Sequence, residues 1–222
     1  MSIIKTKNKG LLIVVSGPSG AGKGTINGEL LKRNKNIWMS TSMTTREPRG
    51  TEENGKEYFF VTKEEFEERI KNDQFLEYAI VHSGKYYGTP KDKIYDKLDQ
   101  GIDVILEIDI QGALSIQNKI SDALFIFIMP PSMEILKERL TNRGTESEEK
   151  VLERFQTAYK EINAYTKYNY VVVNDEIENA VDKVEAIIKA EKCRVDRIEE
   201  VFLNNPEEKL HESLIDDKEF IN

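Results

Sequence analysis

Lys23 closes the run Gly17-Pro18-Ser19-Gly20-Ala21-Gly22-Lys23 and is followed by Gly24 and Thr25. The apolar stretch Leu11–Ser16 precedes this run and a helical pattern follows it to about Arg33. Gly-x4-Gly-Lys between a strand and a helix is the spacing of a phosphate-binding P-loop. The glycines let backbone N–H groups wrap an anion, the new helix adds its positive end, and Lys23 brings a point charge to the outer phosphates. Such a loop implies a bound nucleoside triphosphate. Gly24 stands where a Ser or Thr usually follows the lysine. A hydroxyl for Mg²⁺ then comes from Thr25, or water fills the shell.

A second set of candidates lies between residues 40 and 100. Arg46 and Arg49 stand three apart in the turn-rich segment Thr44–Gly55, and tyrosines recur nearby in Asn54-Gly55-Lys56-Glu57-Tyr58 and Gly84-Lys85-Tyr86-Tyr87-Gly88-Thr89. Guanidinium forks with phenolic hydroxyls suit a second, terminal phosphate. A loop loaded this way beside a P-loop points to transfer between two anionic substrates.

These residues need a rigid frame. Leu11–Ser16, Val104–Asp109, Leu124–Met129 and Tyr170–Val173 read as buried strands. Helical spacing appears at Ile135, Leu136 and Leu140 after Pro131-Ser132, and again over Ile177, Ala180, Val181, Val184, Ile187 and Ile188. Strands alternating with helices imply an α/β fold with a parallel sheet covered on both faces. Residues 40–100 break the rhythm as an α+β insertion: a strand at Glu57–Val61, a helix at Lys63–Asn72 with a solvated charged face, and one or two strands over Phe75–Gly88 turning at Gly84. Arg143–Glu149 is a second, polar insertion, and two such excursions suggest moving parts. Trp38 and Phe155 are expected to pack, and Ile198, Val201 and Phe202 to extend the last helix.

Composition narrows the class. Net charge is −8, from 32 Lys and Arg against 40 Asp and Glu, which argues against nucleic acid as the main partner. Residues 192–222 hold nine acids and five bases, half of the excess, so the body is nearer balance. One cysteine, Cys193, excludes an intramolecular disulfide, and two histidines argue against a His-based metal site. The longest apolar run, Ala123–Met129, is far short of the ~20 residues that span a bilayer. Lys5, Lys7 and Lys9 ahead of Leu11–Val15 lack the apolar length and cleavage site of a signal peptide. A cytoplasmic protein is expected.

Taken together, Ser-Gly-Pro-Ser-Gly-Ala-Gly-Lys, Thr-Thr-Arg-Glu-Pro-Arg, Asn-Gly-Lys-Glu-Tyr, Tyr-Tyr-Gly-Thr, Glu-Ile-Asp-Ile-Gln-Gly, Arg-Gly-Thr-Glu-Ser-Glu-Glu and Val-Val-Asn-Asp resemble the guanylate kinases over about Gly10–Glu191, the bacterial enzymes more than the eukaryotic ones. The resemblance implies ATP + GMP ⇌ ADP + GDP with Mg²⁺, serving guanine nucleotide biosynthesis and recycling. It also implies three parts: a CORE (1–43, 91–142 and 167–201), a GMP-binding domain (44–90) and a LID (143–166), leaving an acidic tail (202–222). By resemblance, Arg46, Arg49, Tyr58 and Tyr87 hold the GMP phosphate, and Ser42, Glu77, Thr89 and Asp109 read guanine. Arg139, Arg143 and Arg154 bracket the transferring phosphoryl group with Lys23. Glu107 replaces an Asp of some members and keeps the carboxylate. Asp109 is open to guanine or to Mg²⁺ through water, and a homo-oligomer is left open. Five arginines and a lysine around two anions imply a basic cleft inside an acidic protein. Glu77 disfavours adenylate as acceptor, because its carboxylate would face the lone pair of adenine N1.

Overall fold

The computed structural model describes residues 4–7, 9–80, 84–141, 148–198 and 200–203. The first part of the chain forms β1 (Ile4–Lys7), β2 (Leu12–Ser16), α1 (Lys23–Arg33) and β3 (Ile37–Met39). Next come β4 (Met43–Thr44), β5 (Phe59–Phe60), α2 (Lys63–Lys71), β6 (Phe75–Ile80), β7 (Tyr86–Pro90) and α3 (Asp92–Asp99). The remainder forms β8 (Asp103–Glu107), α4 (Ile110–Gln117), β9 (Leu124–Met129), α5 (Met133–Thr141), α6 (Glu148–Ile162), β10 (Tyr170–Val173), α7 (Ile177–Lys192) and β11 (Glu200–Leu203).

Five strands make one parallel sheet in the order β10-β9-β2-β8-β3. In the central strand, Val14 pairs with Leu106 on one side and Phe125 on the other. Successive side chains alternate faces: Ile13 and Val15 pack on Ile26 and Leu30 of α1 and Val181 and Val184 of α7, while Leu12 and Val14 meet Ile94 of α3 and Ile116 of α4. Helices on both faces explain why β2 reads as a continuous apolar run rather than an alternation. Each large side chain buried there contributes roughly 1.5–3 kcal/mol, so the sheet is the stiffest platform available.

The segment between β3 and α3 builds a second sheet in the order β5-β4-β7-β6, with β4 and β5 parallel and the other pairs antiparallel. Helix α2 closes it by burying Phe66, whose ring stacks on Phe75 with centroids 4.4 Å apart. Thr62 caps α2 by accepting from the Glu65 N–H, and Glu64, Glu65, Glu68 and Lys71 remain exposed. Strand β6 ties this sheet to the parallel one: Leu76 joins the α3–α4 core, and Lys119 Nζ donates to the Leu76 carbonyl at 2.8 Å. Beyond β9, Leu136, Leu140 and Ala158 form a small α5–α6 core. Phe155 packs there and Trp38 packs against the α3–α4 side.

Several sequence expectations shift. The strand expected at Val104–Asp109 ends at Glu107, because Asp109 caps α4 with its side chain. Of the Glu57–Val61 strand only Phe59–Phe60 joins the sheet, Tyr58 making an isolated bridge to Asn54, and Phe75–Gly88 yields two strands, with Gly84 at φ 72°. The last helix is not extended by Ile198, Val201 and Phe202. It stops at Lys192, a 3₁₀ turn follows at Val195–Arg197, and 200–203 pair antiparallel with β1, Lys7 opposite Glu200. That pairing joins segments far apart in sequence, which helical periodicity cannot register. Residues 143–147 of the second insertion, Arg143 included, and 204–222 of the tail lie outside the described residues. No helix among the described residues is long and apolar enough to cross a membrane.

Candidate functional site

The P-loop bridges the end of β2 and the start of α1. Its residue before Lys23, Gly22, sits in the left-handed region at φ 91°, and a Cβ there would stand 2.2 Å from Asn174 Nδ2. Glycine is required on both counts. Asn174, buried at the end of β10, donates from Nδ2 to the Ala21 carbonyl at 2.7 Å and so pins the loop from behind. Lys23 Nζ donates to the carbonyls of Gly17 (2.7 Å) and Pro18 (3.2 Å), curled over the cradle it closes. Arg154 of α6 donates to Ser19 Oγ at 2.5 Å.

A cleft of about 620 Å³ opens in front of this loop. Its far wall is α6, which presents Glu153, Thr157 and Glu161 at helical spacing beside Arg154. Its floor is Glu107-Ile108-Asp109, the exit of β8. Asn27 of α1 holds Glu107 by donating to Oε2 at 2.8 Å. Burial raises the Glu161 carboxyl above its ordinary range, with Lys23 pulling the other way. Among the described residues, four carboxylates share this cleft with Lys23 and Arg154, where a basic cleft was expected. In that shared space the carboxylates offset part of the cationic charge.

A second cleft, about 300 Å³, lies on the other side of the same floor and again includes Glu107, Ile108 and Asp109. Ser42, Tyr58, Glu77 and Tyr87 complete it. Glu77 is only 7% exposed, and its Oε1 accepts from Thr89 Oγ1 at 2.6 Å. Burial raises its carboxyl above the ordinary Glu range, and Asp109 adds to that. Thr89 and Lys119 act in the opposite sense. Asp109 spends one oxygen, Oδ1, accepting from the Gly112 N–H at 2.8 Å.

Arg46 is almost fully buried at the rim of this second cleft. Its NH1 and NH2 donate to Glu52 Oε2 (2.6 Å) and Oε1 (2.8 Å), and its plane lies over Tyr58, 4.9 Å from the centroid. Tyr58 in turn meets Tyr87 edge-on at 5.9 Å. The Arg46 fork and the Arg49 N–H hold the Glu52 carboxyl down at about 2. Arg46, Tyr58 and Tyr87 are thus one cluster, whereas the Arg49 side chain is exposed beside it.

The remaining expected residues divide. Thr25 is exposed in the first turn of α1, and a Cβ on Gly24 would stand 3.7 Å from Glu107 Oε2. Arg139 does not line the clefts. Its NH2 donates to the Asn174 carbonyl at 3.1 Å, and its NH1 is buried without a partner among the described residues. Sequence reasoning missed Glu52, Asn174 and the α6 stripe as functional parts. Glu52 and the stripe had local signals, a carboxylate six residues past an arginine in a tight loop and i, i+4, i+8 spacing. Asn174 stood in the Val-Val-Asn-Asp motif of the resemblance but was given no role there.

The guanylate kinase family model matches residues 9–191. A guanylate kinase of Clostridium tetani is 60% identical over 208 residues, covering 94% of this chain and 99% of that one. One of Clostridium perfringens is 56% identical over 216 residues, covering 97% and 100%. A crystal structure of guanylate kinase from Anaplasma phagocytophilum superposes with a TM-score of 0.73 at 34% identity, covering 96% of this chain and 99% of that one. With a P-loop cleft and a Glu77 cleft meeting on one floor, and relatives aligned along nearly its whole length, the chain belongs to the guanylate kinase family.

Proposed function

We infer that the chain transfers a phosphoryl group from ATP to GMP, giving ADP and GDP, with ATP in the larger cleft and GMP in the smaller. The observation that carries this division is the shared floor, Glu107-Ile108-Asp109, which lets two bound nucleotides meet end to end. Ligands gather at the carboxyl ends of parallel strands, where β2 and β8 both deliver their loops.

The residues divide the work as follows. Gly17 to Thr25 wrap the ATP phosphates, with Lys23 leaving the loop carbonyls for the transferring group. Arg46, Arg49, Tyr58 and Tyr87 hold the GMP phosphate. Ser42, Glu77, Thr89 and Asp109 read the guanine, Glu77 by accepting from N1–H and the 2-amino group. Arg154 approaches the phosphoryl group from α6, joined by Arg143 and by Arg139, which must first leave the Asn174 carbonyl that holds it outside the cleft. The GMP phosphate oxygen is already a nucleophile, so alignment and charge stabilisation do the rest. Residues 143–166 act as a LID and 44–90 as the GMP-binding domain of a CORE, and their closure excludes the water that would hydrolyse ATP.

The donor set suits Mg²⁺, a hard ion that keeps several waters and needs only one or two protein oxygens. Glu107 and Asp109 line the ATP cleft, Glu107 beside Gly24, and Thr25 or water supplies the remaining protein-side contact. Bound there, Mg²⁺ supplies charge neutralisation across the phosphate oxygens. A cytoplasmic enzyme acting on small molecules, with no nucleic-acid partner, agrees with the acidic balance.

The test is ADP release measured by a coupled assay with GMP, IMP, AMP, dTMP and CMP as acceptors. GMP should lead by a wide margin. A preference for AMP or dTMP would overturn the guanine assignment.

A further inference from the structure

Gly112 lies in the first turn of α4, directly against the Glu77 carboxylate. A Cβ there would stand 3.1 Å from Glu77 Oε2 and 3.4 Å from Asp109 Oδ1. Its backbone is not among those in the left-handed region, so conformational freedom does not explain a glycine here. Within a helix, alanine is the better residue. What the site needs is space.

The carboxylate has few other places to go. Glu77 is buried, its Oε1 is fixed by Thr89 at 2.6 Å, and β6 is pinned to the turn that follows α4, where Lys119 donates to the Leu76 carbonyl at 2.8 Å. Oε2 therefore rests over the amino end of α4, whose partial positive charge favours an ionised carboxylate. That seat partly offsets the burial and the neighbouring Asp109, both of which disfavour the charge. A side chain at 112 would lift Oε2 off the helix end by a few tenths of an ångström and crowd Asp109.

We propose that Gly112 is a specificity-positioning residue: its missing side chain sets the Glu77 carboxylate at the height where guanine N1–H and N2–H₂ are read. The proposal rests on the reading of the smaller cleft as the GMP site. It assigns Gly112 no contact with substrate.

The experiment compares G112A and E77Q with the parent enzyme. For G112A, KM for GMP should rise ~10-fold while KM for ATP stays within about twofold, because small misplacements of a substrate-reading group are costly. The GMP:IMP preference should narrow, since the 2-amino contact is the one disturbed. The melting temperature should stay level or rise, because alanine favours the helix. If E77Q raises KM for GMP and G112A does not, the positioning role is wrong and the GMP site stands. If neither variant changes KM for GMP, the assignment of the cleft fails and takes this proposal with it. If G112A raises both KM values and melts lower, Gly112 is a packing residue and the proposal is overturned.

Discussion

Arg46 and Glu52 meet through two parallel hydrogen bonds of 2.6 and 2.8 Å, in a loop where they stand six positions apart. The pair holds the guanidinium plane over Tyr58, so an arginine that loop dynamics would otherwise scatter is aimed before any phosphate arrives. Glu52 is a positioning residue, and its effect should be read at the acceptor. E52Q keeps the shape and removes the charge, and KM for GMP should rise ~10-fold with KM for ATP unchanged, in the range expected of charge-assisted pairs. Equal changes in both constants would sink this role.

The same carboxylate gives a pH signature for stability. Its folded pKa, about 2, lies below the ordinary 4.5, so its contribution is complete above 4.5 and is lost as pH falls toward 2. Melting curves of the parent and E52Q should keep a steady gap from neutral pH to about 4.5, and the gap should close below it. A gap that persists at pH 2 would mean that packing, not charge, separates the two proteins.

Glu77 titrates in the opposite sense. Burial raises its pKa, so ionisation costs stability as pH rises through the folded value. E77Q should melt at or above the parent at neutral pH, and this advantage should vanish at pH below the ordinary 4.5. Meanwhile kcat/KM for GMP should fall ~10²-fold, while AMP, already poor, changes little. The part of the acid limb that Glu77 contributes to the GMP profile should lie above pH 4.5 in the parent and be lost in E77Q, leaving the limb of the GMP phosphate itself. A parent profile flat through that region would exclude an ionised Glu77 as the guanine reader.

Lys23→Ala removes the charge that the proposed mechanism brings to the ATP phosphates. Turnover should drop by about 10²–10³, as for removal of one preorganised transition-state donor, with KM for GMP within about twofold. Steady-state kinetics with each substrate varied checks this. A loss of GMP binding as large as the loss of turnover would contradict two separate sites.

Asn174→Ala takes the donor away from the Ala21 carbonyl and empties the space behind Gly22. Stability should fall by ~1–3 kcal/mol, the usual cost of a buried acceptor left unpaired. KM for ATP should rise several-fold with KM for GMP unaffected. Denaturant unfolding with the two KM values tests both halves, and a rise in KM for GMP alone would refute the assignment.

What could be read from sequence was what is local. The P-loop is nine consecutive residues, and its flanking strand and helix carry their own patterns. The Glu77 and Arg46 clusters were recognisable because each motif is short, even though their meeting place is made by the fold. Three kinds of feature stayed hidden. Helix α3 is only eight residues long, with Ile94 alone fully buried, so its apolar face spans barely two turns. Asn174 acts on a carbonyl 153 positions away. The acids Glu153 and Glu161 line the P-loop cleft beside Lys23 and Arg154, against the simple rule that anion sites are basic.

Among the described residues, strand β1 pairs with β11 alone, and the register sets Lys7 against Glu200. During synthesis β1 therefore leaves the ribosome with both edges bare and waits for roughly 190 more residues, about 10–40 s at ordinary elongation rates. The parallel sheet can assemble in that interval, since β2 to β10 are all present before β11 emerges. The ribbon is thus a seam closed last, over a body already folded. Shortening the chain ahead of residue 200 should free the amino-terminal segment while leaving the catalytic clefts intact.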